Sequence, residues 1–514
     1  MSIGMLNTKS SEYSYHWQLI RDCVEGEYRI KTRSEQYLPR KSGQTDFDYN
    51  CYKARAKWAD YTEQALNAMH GMIFRRAPVM EVPENKKLTA CLKNFDREGH
   101  TFYQSSSNSC YDNMQTSFGG LFVDMPVVKK RMTQAEADVL GILPYCKYYK
   151  AENIMDWKYK DINGVKKLCL VVLKEEVETF KSEFDHDYKT QFRVLDIDDQ
   201  GFYRVRIFGM GYDKDGNPTG YGCNKTIPVA INGKRLNYIP FFFLPFEEPT
   251  KPMLYGIAEL NKHYYMQSAD YENGVHLTTL PTLVITGYKS EDEVLRLGTD
   301  IAVEIPDSDA KAYPVSFSGE GLEHCEKAIE STQEQIGILG TRSISPDKAM
   351  SETSDAARIH RAGENAKLAT YARDISEVYT KVVQTMADWI GEKGKVSIQF
   401  NVDYDTVSFD PNMINAIANL AREGKFPLPL IYEALVRGEI VPNGFTFGEF
   451  MLLIDMEGSG VTAQEEIELY QKIRSGEKIN LPNSAPVPSI TQKAMSGNDK
   501  EPQNTKQVHM EAGK

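Results

Sequence analysis

The spacing of apolar residues changes period twice along this chain, and the changes divide it into regions. From residue 11 to 76 the pattern is helical. Tyr52, Ala56, Trp58, Ala59, Ala65, Leu66 and Met69 recur at helical intervals until GMIFRRAP interrupts them, which predicts a helix ending at Gly71. A second helix is expected over 86–114. The stretch SFGGLFVDMP then sets a short buried strand between two glycines and Pro126, and the glycines predict a close approach of backbones. After a helical patch near 133–140 the period falls to two. KLCLVVLKEEV, QFRVLDID, GFYRVRIFGM and the run into IPFFFLPF are separated by DDQG and DKDGNP turns, so an antiparallel sheet region is expected over 145–246.

Helical spacing returns after the PTKP breaker at 249–252. Ile257, Leu260, Tyr264, Tyr271 and Val275 share a stripe over 254–280, a helix of about 40 Å. Pro281 ends it. PTLVITGY, DIAVEIP and AYPVSF predict short strands of a compact insertion, and 320–340 resumes as helix with Leu322, Cys325, Ile329, Ile336 and Leu339 at heptad-like spacing. A polar loop, TRSISPDKAMS, precedes a long helical pattern over 352–390 whose stripe runs Ile375, Val378, Tyr379, Val382, Val383, Met386, Ile390. KVSIQFNVDYD then predicts a strand, residues 411–474 short helices, and the Pro-, Ser- and Gln-rich stretch 481–514 a disordered tail. Runs of strands between runs of helices make the fold class α+β.

At 514 residues, 41% apolar and 26% charged, the chain is expected to fold over most of its length. The first residues lack a basic-apolar-small leader pattern, and no apolar run is long enough to span a bilayer, so neither secretion nor membrane spanning is expected. Eight scattered cysteines without a CxxC pair predict reduced thiols rather than disulfides or zinc. A net charge of −12 argues against gripping nucleic acid through the overall field. Its distribution says more: residues 251–340 hold six Lys or Arg against fifteen Asp or Glu, a local balance of −9.

Motifs for catalysis are weak. SPDK at 345–348 matches S-x-x-K, but its companion elements are missing and its Ser stands in a loop before Pro346. DKDGN at 213–217 starts like a calcium loop, yet Asn224 occupies the place of the bidentate Glu, so a hairpin turn is the expected reading. Asp196, Asp198 and Asp199 could hold a hard cation, which makes a metal-dependent hydrolase one rival function; solvated turn carboxylates are the plainer reading. No HExxH and no strand-to-helix phosphate loop is found, so the chain is not expected to be an enzyme or to need a cofactor.

Several long strings resemble one family. YLPR at 37–40, YKARAKWADYTEQALNAMHGMIFRRAP at 52–78, GGLFVDMP at 119–126, LYGIAELNKHYYMQSADYENGVHLTTLPTLVITG at 254–287 and IGILGTRSI with SETSDAARIHRAGENAKLA at 336–369 are similar to the portal, or head-tail connector, proteins of tailed bacteriophages. The branch is one whose domain is catalogued as of unknown function, and the resemblance spans about residues 14–456. It implies a ring, usually of twelve subunits, at a capsid vertex in the virion, assembled in the host cytoplasm. Implied partners are double-stranded DNA in transit, the large terminase, the major capsid or scaffolding protein and head-tail adaptors, with no membrane. The implied parts are a wing at 1–250, a first stem helix at 251–280, a clip at 281–319, a second stem helix at 320–340 and a tunnel loop at 341–352. A long wing helix and strand at 353–410, a helical crown at 411–480 and the tail at 481–514 complete the chain.

That division gives the acidic segment a use. A stem of about 40 Å encloses roughly two dozen phosphates of a duplex, and an acidic wall repels them over a Debye length of about 8 Å, leaving DNA mobile. Glu259, Asp270, Glu272, Glu323, Glu326, Glu330 and Glu334 are the candidate wall residues, and Arg342, Ser343 and Lys348 the candidate DNA-facing residues of the tunnel loop. A ring-forming adaptor that does not thread DNA is the alternative.

Overall fold

The computed structural model describes residues 3–126, 136, 141–162, 164–180, 182–212, 218–279, 282–286, 311–315, 319–341, 354–404 and a few positions between 429 and 451. It separates Met1–Tyr404 from Asp405–Lys514. In the second unit, Tyr432 lies 5.5 Å from Phe447 and 5.3 Å from Phe450, ring centre to ring centre. The expected crown and tail otherwise lie outside the described residues.

The first unit is α+β. It opens with four helices, α1 (Thr8–Glu25), α2 (Glu27–Arg33), α3 (Asp46–Arg55) and α4 (Tyr61–Phe74), followed by strand β1 (Val79–Glu81), α5 (Lys86–Lys93), α6 (Phe102–Thr116) and β2 (Gly119–Asp124). Helix α4 runs past the expected stop at Gly71. A glycine inside a helix costs only about 1 kcal/mol, and Ile73 and Phe74, both buried, offset it and carry the helix one turn further. The single helix expected over 86–114 is two. Thr101 accepts from the Gln104 backbone and the Gln104 side chain accepts from the Thr101 N–H, a capping box that starts a new helix.

Strands β3 (Tyr145–Lys150), β4 (Ile154–Ile162), β5 (Val165–Phe180), β6 (His186–Ile197), β7 (Tyr203–Tyr212) and β8 (Pro218–Pro228) follow, then the short pair β9 (Ala230–Ile231) and β10 (Lys234–Arg235) and strand β11 (Phe241–Phe243). The region expected over 145–246 is antiparallel throughout its described pairings and is divided between sheets. β4 to β8 make a five-stranded antiparallel meander, whereas β11 and β3 flank β2 in a separate sheet. The glycines of β2 explain that choice: a Cβ on Gly120 would stand 2.0 Å from Cζ of Phe241, so only a bare backbone admits the ring.

The remaining elements are α7 (Tyr255–Thr279), the ribbon β12 (Thr282–Thr286) and β13 (Lys311–Val315), α8 (Leu322–Ile336) running into a π turn at Gly337–Thr341, α9 (Ser354–Trp389) and β14 (Ser397–Gln399), which pairs with β1. Of the three strands expected in the insertion, two are seen paired and residues 300–306 lie outside the described residues. The later half of α9 is the spine of the main core. Ile375, Tyr379, Val382, Val383 and Met386 are buried on it, as the sequence stripe predicts, and share one core with Leu19, Leu66, Ile73, Cys110 and Met114. Its buried hydroxyls are partnered: Tyr371 donates to Asn113 Oδ1 at 2.8 Å, and Tyr379 lies 2.5 Å from the Ser109 hydroxyl.

Candidate functional site

Helices α7 and α8 form an antiparallel pair joined through the β12–β13 ribbon. Leu322 reaches Gly274 at one end of the pair, where a Cβ would stand 2.7 Å from its methyl, and Leu339 reaches Gly256 at the other. Gln267 Nε2 lies 3.5 Å from the Ala328 carbonyl between them. Small residues on α7 let α8 lie close. The apolar seam of α8 is only half buried. Ile336 is covered, but Leu339 is 46% exposed because it falls in the π turn, where the extra residue rotates it off the stripe, and Thr332 fills a buried place instead.

The other face of α7 is docked on the N-terminal helices, and the apolar stripe alone does not find it. Asn261 and Ser268 are buried there. Asn261 Oδ1 accepts from the Thr62 N–H at 3.1 Å and hydroxyl at 3.0 Å, and its amide donates to the Ala59 carbonyl at 2.9 Å. Ser268 donates to the Lys57 carbonyl at 2.7 Å and accepts from the Lys57 N–H at 3.1 Å. Polar anchors with matched partners fix a register that Leu and Ile would not.

The seven acidic candidates divide between these two settings. On α7, Glu259 pairs with Lys262 at 2.6 Å and accepts from the Tyr255 hydroxyl at 2.9 Å. Asp270 takes Lys41 at 2.7 Å and the Tyr52 hydroxyl at 2.7 Å, and Glu272 takes Lys57 at 2.5 Å. The Glu272 carboxylate raises the pKa of the Lys57 ammonium. On α8, Glu323, Glu326, Glu330 and Glu334 are all exposed. Glu323 pairs with its own helix neighbour Lys327 at 2.7 Å. Glu326, Glu330 and Glu334 have no ion pair among the described residues, and their spacing of four places them on one side of the helix. Glu259 is neutralised from within α7, whereas the lysines that hold Asp270 and Glu272 come from far upstream, so nothing in the local charge count signals those two.

The family described as "Domain of unknown function (DUF4055)" matches residues 253–390. The match starts at α7 and ends with α9, so it takes in the helical pair, the ribbon and the long core helix. Comparison with curated proteins finds no match. Among solved structures, a chain of the "Neck of empty GTA particle computed with C6 symmetry" is similar at 10% identity and a TM-score of 0.34, over 71% of this chain and 85% of that one. A likeness that low fixes neither fold nor role.

Arg342, Ser343 and Lys348 lie outside the described residues, as do 213–217 and the SPDK motif. Of the three hydrolase candidates, Asp196 and Asp198 are held by arginines, and Asp199 is exposed at the turn. Asp196 is bound by Arg204 at 2.9 Å and Arg206 at 3.1 Å, and Asp198 by Arg235 at 2.6 Å while it caps the Gln200 and Phe202 N–H groups. One more group has metal-ligating chemistry: Asp96, Glu98 and His100 lie within reach of a shared ion, beside a cleft of about 750 Å³ that Arg21, Lys147 and Lys150 also line. Asp96 is already engaged. Its Oδ1 accepts from the Glu98 and His100 N–H groups and its Oδ2 contacts His100 Nδ1 at 2.6 Å, which accounts for the cluster as a tight turn. Among the described residues, no helix is long and apolar enough to cross a membrane.

Proposed function

We propose that the chain is the subunit of a portal ring, a non-enzymatic conduit at a capsid vertex through which double-stranded DNA passes. The observation that carries this reading is the division of charge on the helical pair. A helix with two carboxylates, Asp270 and Glu272, neutralised by Lys41 and Lys57 of the body, beside a helix with Glu326, Glu330 and Glu334 left bare in a row, is built to dock on one side and to repel a polyanion on the other. A wall that bound phosphate would instead present clustered Lys and Arg. The long strings similar to portal proteins support the same reading, as does the family match over this segment.

In that reading α7 and α8 are the stem, the β12–β13 ribbon begins the clip, and residues 341–352 supply the tunnel loop with Arg342, Ser343 and Lys348. The terminase docks at the clip during filling and head-tail adaptors follow, while the capsid or scaffolding protein surrounds the wing. Negative-stain electron microscopy of the purified chain tests it. A rotationally symmetric annulus, twelve-fold in the expected case, with a central hole wide enough for a duplex supports the conduit. A compact monomer under every assembly condition, or a ring with no opening, refutes it.

A further inference from the structure

The β5–β6 pair continues beyond its sheet. β4 flanks β5 only as far as Leu173, and β7 flanks β6 only from Gln191 onward. The five residue pairs from Glu176↔Thr190 to Phe180↔His186 therefore form a two-stranded ribbon, about 17 Å long, with no further strand on either edge among the described residues. A ribbon of this kind is marginal in water by itself. Yet it carries Phe180 at 71%, Phe184 at 87% and Tyr188 at 60% exposure. The rings of Phe180, His186 and Tyr188 share one face, with centroids 6.4 and 6.0 Å apart in succession. Over 176–190 the sequence holds five carboxylates against two lysines, Lys181 and Lys189.

The other end of β5 has the opposite character. Around the β4–β5 turn, Lys158, Lys160, Lys166 and Lys167 are exposed, and Val165 beside them is 56% exposed. Asp161, the acidic residue there, is occupied as acceptor for the Gly164 N–H at 2.8 Å. Lys166 has a loose pair with Glu247 at 4.0 Å and sits over the Tyr159 ring. Sixteen residues of strand, about 53 Å, separate the two ends, so they cannot meet within one chain.

We propose that the free ribbon is an assembly arm: its aromatic, acidic tip docks on the basic end of the same sheet in a second copy of this chain. Complementary patches on opposite ends of one stiff element make a head-to-tail contact, the heterologous kind that closes into a ring. Exposed aromatic rings supply buried area at low entropic cost, and the charges fix the direction. The proposal rests on the ring reading above and names the surface by which copies join.

The test uses the full chain, with light and isotopically heavy copies mixed and p-benzoyl-phenylalanine in place of Phe184. Illumination is expected to give heavy-to-light crosslinks to peptides covering 158–167. Crosslinks only to other segments or to other proteins, or none in assembled particles, overturn the proposal. A second arm uses charge reversal. Glu176→Lys with Glu178→Lys is expected to raise the concentration at half-assembly by about tenfold or more, and adding Lys166→Glu with Lys167→Glu to the same chain restores it. If the wild-type chain forms rings and the reversed chain forms them equally well, this proposal alone fails. If the wild-type chain never leaves the monomer, the ring reading fails with it.

Discussion

Replacing Glu326, Glu330 and Glu334 together by lysine tests whether the bare row on α8 is there to keep DNA from sticking. All three are exposed and without ion pairs among the described residues, so the fold loses no contact. Successive positions are four residues, or about 6 Å, apart along the axis, inside a Debye length of about 8 Å, so the row acts as one charged strip. The triple change swings it from repelling phosphate to meeting about three phosphates per subunit. Each neutralised phosphate adds about 0.9 to the slope of log affinity against log salt, so the variant gains a slope near −2.7 per subunit. Between about 50 and 200 mM salt that is roughly a 40-fold loss of affinity. Fluorescence anisotropy with a labelled duplex, read as a salt titration, measures it. The wild-type chain is expected to show little binding and a shallow slope. Steep binding by the wild-type chain, or a variant that binds no better at low salt, refutes the reasoning. Asp270→Asn with Glu272→Gln is the contrasting pair: it breaks docking contacts of α7 with Lys41, Tyr52 and Lys57, so it lowers the unfolding temperature and leaves the DNA titration unchanged.

Three further outcomes follow from local geometry. Gly120→Ala forces a Cβ against the Phe241 ring, which is buried and cannot simply turn aside; a cost of about 3 kcal/mol is expected and read by denaturant unfolding. Gly274→Ile drives a branched side chain into Leu322, where alanine at 274 needs only a small shift of one methyl; the isoleucine variant is expected to loosen the α7–α8 pair, seen as faster amide exchange over 322–336 with the core helix α9 unchanged. The third concerns Glu175, buried in the meander. Burial by itself would raise this carboxyl, but Arg193 at 3.1 Å, Lys147 at 3.3 Å and the Tyr149 hydroxyl at 2.5 Å bring it down to about 2. A carboxyl depressed in the folded state stabilises above its ordinary pKa, near 4.3, and the stabilisation disappears as pH falls toward 2. The shift corresponds to about 3 kcal/mol. Glu175→Gln is expected to lose most of it at neutral pH and to flatten the stability profile between about pH 4.5 and 2; an unchanged acid slope counts against the network.

Much of this fold is legible where one residue type repeats. The stripe of α9 is visible because Ile375, Tyr379, Val382, Val383 and Met386 all face one core, and the meander is visible because its strands alternate. What escapes is decided by partners distant in sequence. The buried face of α7 is carried by Asn261 and Ser268, which look like surface residues until Thr62, Ala59 and Lys57 arrive some two hundred positions away in the chain. The break between α5 and α6 had a local signal in Thr101 and Gln104, obscured because apolar spacing continues across it. The acidic candidates show both situations. Counting charge over 251–340 locates the segment, but only packing separates Asp270 and Glu272, each held by a lysine, from Glu326, Glu330 and Glu334, which are not.

That separation bears on how the helical pair communicates with the rest of the chain. α7 is tied to the N-terminal helices by Thr62–Asn261, Lys57–Ser268 and Tyr52–Asp270, and α8 is tied to α7 by the close contacts at Gly256 and Gly274. Buried hydrogen bonds with matched partners do not slide by degrees, because a register shift leaves both partners unpaired. In the conduit proposed above, a push on α8 or on the β12–β13 ribbon would therefore be transmitted to α1, α3 and α4 as a rigid displacement rather than absorbed in the helical pair. Asn261→Leu tests this. It removes three hydrogen bonds while keeping a side chain of similar size, so rings are expected to assemble while exchange protection falls in α7 and α4 together. Loss of protection confined to α7 refutes the coupling.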